Sequence, residues 1–347
     1  MATPADRCGY EQPVITRENV GAVCCWRPVW TGRERCVWHA DEDEKPRAAF
    51  EAHPAERGER LDGAVLRGAF LTGADWFVDG TLIGADLSGA ILRKTDFTGT
   101  DVRRANFRNA DARGAVFDGA NVEDAEFVDT EVQGASFENA LFDRAVFREA
   151  HVDRNTRFGD RVAYDDDLEA VEGEALVVTA EAAIWTYKEL QRLFGQNALP
   201  EVERRYYLRE KDLRRRVAWL SGHYGRAVRL EAARWVTHYG TSPSRVVVSS
   251  LVLIVTCALL FPFTDGIREP ATGTVIAYGP AGPAGMAAGE LFATLFTSLY
   301  FSVITFGTLG YGDIQPVGTA ARALASVESL LGALLLALLV YVLTRTL

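Results

Sequence analysis

The sequence predicts a multidomain chain: a soluble β-solenoid, an α-helical hairpin and an all-α membrane domain. Three observations carry that prediction. Residues 62–158 repeat every five positions. Residues 175–195 and 200–220 carry helical patterns, broken between Asn197 and Pro200. Beyond residue 245 the chain turns apolar, with two long runs and few charges. Ahead of the repeats lies a Cys-rich stretch. The expected divisions are a Cys-rich module over 1–60, the repeats over 61–158, an acidic linker and hairpin over 159–242, and a membrane domain over 243–347.

The N-terminal module holds Cys8, Cys24, Cys25 and Cys36, and His39 completes a CxxH at 36–39. No apolar leader precedes them, so a reducing cytoplasm is expected, where cysteines bind metal more often than they form disulfides. Tetrahedral Zn2+ takes four soft or borderline ligands, and three thiolates with one imidazole make such a set. The expected ligands are Cys8, one of Cys24 or Cys25, Cys36 and His39. The alternative is a set of buried, unliganded cysteines beside Trp26, Trp30 and Trp38.

In the repeats a small residue recurs at Ala64, Ala69, Ala74, Gly80, Ala85 and Ala90, and onward to Ala150. A large apolar residue follows two positions later, at Leu66, Leu71, Trp76, Leu82, Leu87 and Leu92, and on to Phe147 and Val152. The frame slips by one residue near Asp79. A period of five does not close on the 3.6-residue helical turn, so a helix is excluded. This pattern resembles the pentapeptide-repeat family. The resemblance implies a right-handed quadrilateral β-helix with four pentapeptides per coil, and a rod roughly 20 Å long at the usual strand spacing. The rod is expected to serve as a scaffold for a cytoplasmic protein partner. It carries 17 Asp and Glu against 11 Lys and Arg, and the whole chain has a net charge of -10. That balance disfavours nucleic acid as a partner. Duplex mimicry, known in some family members, is disfavoured by the mixed charge.

Asp165, Asp166 and Asp167 read as a solvated linker. Ala183, Tyr187, Leu190 and Phe194 fall on one helical face, with Tyr206, Leu213 and Val217 on a facing helix. An αα-hairpin follows, read as a spacer or a coupling element.

Two runs are long enough to cross a bilayer. One ends at Phe263 and starts about residue 245; the other covers about 319–344. Residues 290–306 between them are apolar but run into glycines, the pattern of a re-entrant helix. Arginines crowd ahead of the first span and Arg345 follows the second, whereas the intervening loop holds only Arg268 as a basic residue. Both termini are therefore expected in the cytoplasm.

The third stretch ends in Thr308, Leu309, Gly310, Tyr311, Gly312 and Asp313. Gly310 and Gly312 permit backbone angles that turn successive carbonyls toward one axis. Leu309 and Tyr311 would then pack behind, and Tyr300 is placed to answer Asp313 with a hydroxyl. With a helix before it and a span after it, this segment resembles the filter of two-transmembrane potassium channels, whose signature is TVGYG. The resemblance covers about residues 245–347. It departs at Leu309, where a β-branched residue is usual, and at Gly307. It implies a homotetramer in the lipid bilayer, K+ in a filter over 308–312, a pore helix over about 290–306 and a gating hinge at Gly332. Gly332 also has a plainer reading as a small residue for helix packing. Glu328, an acid inside the second span, is expected either to brace the filter or to face the cavity. A weakly selective cation channel, and a membrane-anchored binding scaffold, stay open as alternatives. No nucleophile triad, phosphate loop or paired acid–base carboxylates stand out, so no enzyme is expected.

Overall fold

The structure is a computed structural model describing residues 6–15, 20–264, 266–278 and 282–346. The chain divides into two compact units, Met1–Gly222 and His223–Leu347.

The first unit opens with an antiparallel pair, β1 (Glu11–Ile15) and β2 (Val20–Cys24), in which Glu11 faces Cys24. A short helix, α1 (Arg47–Ala52), precedes the repeats. The repeats form no long strands. Parallel bridges recur every five residues, joining Asp96 to Val116, Asp101 to Asn121 and Asn106 to Glu126. A coil therefore takes 20 residues, four pentapeptides, before the chain passes over itself. Across two slips the interval is 21: Arg60 pairs with Thr81, Val65 with Asp86 and Phe70 with Ile91 across the first, and Ser136 with Arg157 across the second. The first is the frame slip expected near Asp79. It moves the core position from Trp76, which stays half-buried, to Phe77, which is buried and stacks on Phe97 at 5.0 Å. The second slip is absorbed by a turn in which the Asp153 carboxylate accepts from the Asn155 and Thr156 amides at 3.0 Å.

Away from the slips, the pentapeptides end on residues with positive φ: Gly99, Arg104, Asn109, Gly114, Gly119 and Asp124 in succession. That turn lets the chain change face every five residues. It explains the glycines at the fifth position and tolerates Asn and Asp there. Inside, two files of phenylalanine run along the stack. Phe77, Phe97, Phe117, Phe137 and Phe158 stack at 4.7–5.0 Å, and Phe107, Phe127 and Phe147 at 4.6–4.7 Å. This spacing is that of neighbouring β-strands, so ring stacking and backbone pairing reinforce one another.

After the repeats come α2 (Ala163–Asp166), α3 (Gly173–Gln196) and α4 (Pro200–Leu220). Pro200 opens α4, where a missing amide hydrogen costs nothing. Ala183, Tyr187, Leu190, Phe194, Tyr206 and Leu213 are buried, as the helical spacing predicts. The hairpin closes the solenoid's C-terminal end: Phe194 lies edge-on to Phe158 at 5.8 Å, and Asn197 accepts from Val152 N at 3.1 Å. Asp165 departs from the solvated-linker reading. It is buried, accepts from the Tyr187 hydroxyl at 2.8 Å and pairs with Arg216. An acid in a polar run becomes a core residue because Arg216, fifty-one positions on, neutralises it.

The second unit contains α5 (Tyr224–Thr237), α6 (Pro243–Leu260), α7 (Ala288–Phe306) and α8 (Gly318–Thr346). Three short strands join them in the order β4 (Val275–Ile276), β3 (Ile267–Arg268), β5 (Gln315–Pro316). Helix α5 has no counterpart in the sequence reading; its Arg226, Arg229 and Arg234 mask the apolar positions between them. Helices α6 (through Phe263), α7 and α8 are each long and apolar enough to cross a membrane.

Candidate pore loop and metal cluster

Helix α7 packs against both α6 and α8. Its Ser302 Oγ donates to Ile254 O at 2.8 Å, near the middle of α6. Its last residue, Phe306, meets α8 at Gly332, half-way along that helix. From there the chain returns. Pro316 pairs with Ile267 and Gln315 with Arg268, just past the C-terminal end of α6. Residues 307–314 thus lead from the middle of α8 back to the side where α6 ends.

Helix α7 stops in a tight cap. Thr308 N donates to Thr305 O at 3.1 Å and Leu309 N to Ile304 O at 2.9 Å. Thr308 occupies the left-handed position at φ 54°, where glycine is usual and a β-branched residue is strained. Gly310 and Gly312 follow at φ 55° and 77°. Leu309 and Tyr311 are 55% and 67% exposed within one chain, so two large apolar side chains stand uncovered beside these glycines.

One polar contact holds the loop, and a second joins the helices on either side of it. The Tyr300 hydroxyl donates to Asp313 Oδ2 at 2.7 Å, across the loop. Glu328 of α8 is completely buried and hydrogen-bonded to Ser302 of α7. Ser302 escaped the sequence reading, since one hydroxyl among apolar residues carries no periodic signal. Gly332 is in contact as well: a Cβ there would lie 2.4 Å from Phe306 O.

In the first unit Cys8, Cys25, Cys36 and His39 bring their ligand atoms within 4.8 Å of one another. Cys36 Sγ lies 3.3 Å and Cys8 Sγ 3.6 Å from His39 Nδ1, and Cys25 Sγ lies 3.9 Å from Cys36 Sγ. The pair left open by the sequence divides here: Cys25 joins the group, while Cys24, beside it at the end of β2, does not. His39 Nε2 donates to Asp62 O at 3.1 Å, which turns Nδ1 toward the sulfurs. The Tyr10 ring stacks on the imidazole at 4.3 Å. Hydrogen bonds from Cys25 and Cys36 pull the Cys8 thiol well below its ordinary range. Burial disfavours the His39 cation, but contacts with Cys36 and Cys8 outweigh it and bring that group up to about 9. All four cysteines of this unit are free thiols. This is a donor set that can hold a metal ion.

Comparison with known proteins bears on both units. Residues 271–347 match the family described as "Ion channel", and residues 79–109 and 102–130 match pentapeptide repeats. No curated protein matches the chain. Among solved structures, a pentapeptide repeat protein from the Arabidopsis thaliana thylakoid lumen shares 24% identity, covering 37% of this chain and 89% of that one, with a TM-score of 0.29. One from the cyanobacterium Cyanothece 51142 shares 21%, covering 30% and 84%, with a TM-score of 0.25. A third, from the cyanobacterium Nostoc and involved in heterocyst differentiation regulation, shares 19%, covering 33% and 79%, with a TM-score of 0.19. The loop lies within residues 271–347, the stretch that matches the ion-channel family, a family of transport proteins and not of enzymes. In this chain the ion-channel domain follows a pentapeptide-repeat domain.

Proposed function

We propose that four copies of this chain form a potassium-selective channel that conducts K+ passively across the cell membrane. The observation that carries the reading is the loop Thr308-Leu309-Gly310-Tyr311-Gly312, leading back to the side where α6 ends, with positive φ at both glycines. Four such loops around one axis would offer K+ successive rings of backbone carbonyls in place of its water shell. Leu309 and Tyr311, exposed in one chain, would be covered in the assembly. The Tyr300–Asp313 bond fixes the outer end of the filter. The Glu328–Ser302 contact braces the filter from α8 through α7, the pore helix. Gly332, whose missing side chain leaves room for Phe306 O, is the point about which the rest of α8 hinges.

The four-domain division at 60, 158 and 242 is retained in this reading, with both termini and the solenoid in the cytoplasm. The solenoid, taken as a right-handed quadrilateral β-helix, has a scaffolding or regulatory role toward a protein partner. A structural Zn2+ sits on Cys8, Cys25, Cys36 and His39.

Flux from K+-loaded liposomes tests the channel reading. The intact chain should release K+ at least about tenfold faster than Na+, and Gly310→Ala should abolish release, because a Cβ strains the left-handed carbonyl position. Equal release of both ions would leave a weakly selective pore. Release that survives Gly310→Ala would place the ion path elsewhere.

A further inference from the structure

Inner coils of the solenoid bond to a coil on each side. Asp86 N donates back to Ala64 O, and Leu87 N donates onward to Asn106 O. The coil over residues 60–79 has a successor but no predecessor, so its outer edge carries backbone groups that need other partners. One short segment, residues 38–47, supplies them. Trp38 O accepts from Val65 N at 2.8 Å, the role that Ala64 O plays for Asp86. Lys45 Nζ donates to Val65 O at 2.6 Å, Glu44 N to Arg67 O at 2.8 Å, and Arg47 Nη1 to Thr72 O at 2.6 Å. His39 Nε2 donates to Asp62 O. The Trp38 ring lies edge-on to Phe77 at 6.0 Å and so floors the phenylalanine file.

Trp38 is fixed by its neighbours. Cys36 and His39 bracket it in sequence, and both converge on Cys8 and Cys25, which come from separate stretches of chain. Among the described residues no disulfide ties these stretches together. We propose that a Zn2+-class cation on Cys8, Cys25, Cys36 and His39 clamps residues 38–47 onto the first coil, so that metal loading decides whether the N-terminal edge of the solenoid is closed or open. This inference rests on the metal reading of the cluster given above. An opened edge presents unpaired parallel-strand groups, a surface on which an extended segment of another chain can add.

The test uses the full-length protein in detergent, purified anaerobically with zinc supplied. Metal content is measured by elemental analysis, and amide hydrogen exchange is followed with and without a strong chelator. About one zinc per chain is expected. Chelation should speed exchange at Val65 at least about tenfold while Phe117 and Val122, deep in the stack, hold their rates, and added zinc should restore Val65. Lys45→Met removes one edge contact without touching a ligand. It should speed exchange in the first coil at unchanged zinc content. Bound zinc whose removal leaves Val65 protected would overturn the clamp while sparing the metal site. Equal acceleration at Val65 and Phe117 would also overturn it, since the metal would then hold the whole unit and not its edge. A chain that takes up no zinc would sink the metal reading itself, and the clamp with it.

Discussion

At the scale of single residues, two glycines of the solenoid, Gly119 at a fifth position and Gly80 at a first, separate backbone strain from packing. Gly119 has positive φ, and a Cβ built there meets nothing within 4 Å. Gly80 has an ordinary φ, yet its Cβ would lie 2.8 Å from Glu59 O, because the one-residue slip presses the backbones together there. Gly119→Ala should therefore cost about 1–2 kcal/mol, the left-handed penalty alone. Gly80→Ala should cost more, because a backbone carbonyl has to give way. Chemical denaturation of the two variants, at unchanged slope, checks the order. The small-then-large alternation was legible in the sequence because it recurs eighteen times. The turn at the fifth position was harder to see, since Lys94, Arg104 and Glu149 occupy it without looking like turn residues. Trp76 misled for a related reason: inside a slipped frame, the larger ring looked like the core residue and the buried one was its neighbour.

Between elements, the hairpin is a lid on the solenoid more than a spacer. Helix α3 gives Phe194 to the end of the phenylalanine file, and Glu189 accepts from Phe147 N at 3.1 Å. Asn197, just after α3, donates to Ala150 O at 2.9 Å and accepts from Val152 N. Its sequence signal was that of a helix stop, which is correct but incomplete, because a side chain that caps another element leaves no periodic trace. Asn197→Ala should cost about 1–3 kcal/mol, the toll of leaving buried backbone groups unmet. It should also speed amide exchange at Val152 while Phe107 stays protected. An unchanged Val152 would mean that α3 packs without capping. The membrane helices were legible from length and hydropathy, and Tyr300 with Asp313 because, of the adjacent Tyr300 and Phe301, only Tyr300 carries a hydroxyl. The contact of Glu328 with Ser302 needed the fold, which brings residues 26 apart on two helices to one buried point.

For the whole molecule, conduction depends on assembly. One chain leaves Leu309 and Tyr311 bare beside Gly310 and Gly312, and a single loop cannot surround an ion. Mass measurement in detergent should give four chains, and Glu328→Leu should weaken that assembly or its conduction by loosening α7 from α8, whereas Glu328→Gln, which keeps a hydrogen-bonding partner for Ser302, should do so less. The most direct test is the reversal potential of the purified protein in a planar bilayer with K+ on one side and Na+ on the other. A potassium-selective tetramer gives a reversal displaced far toward the K+ equilibrium value. A reversal near zero, or no current from a preparation confirmed to be tetrameric, would contradict it.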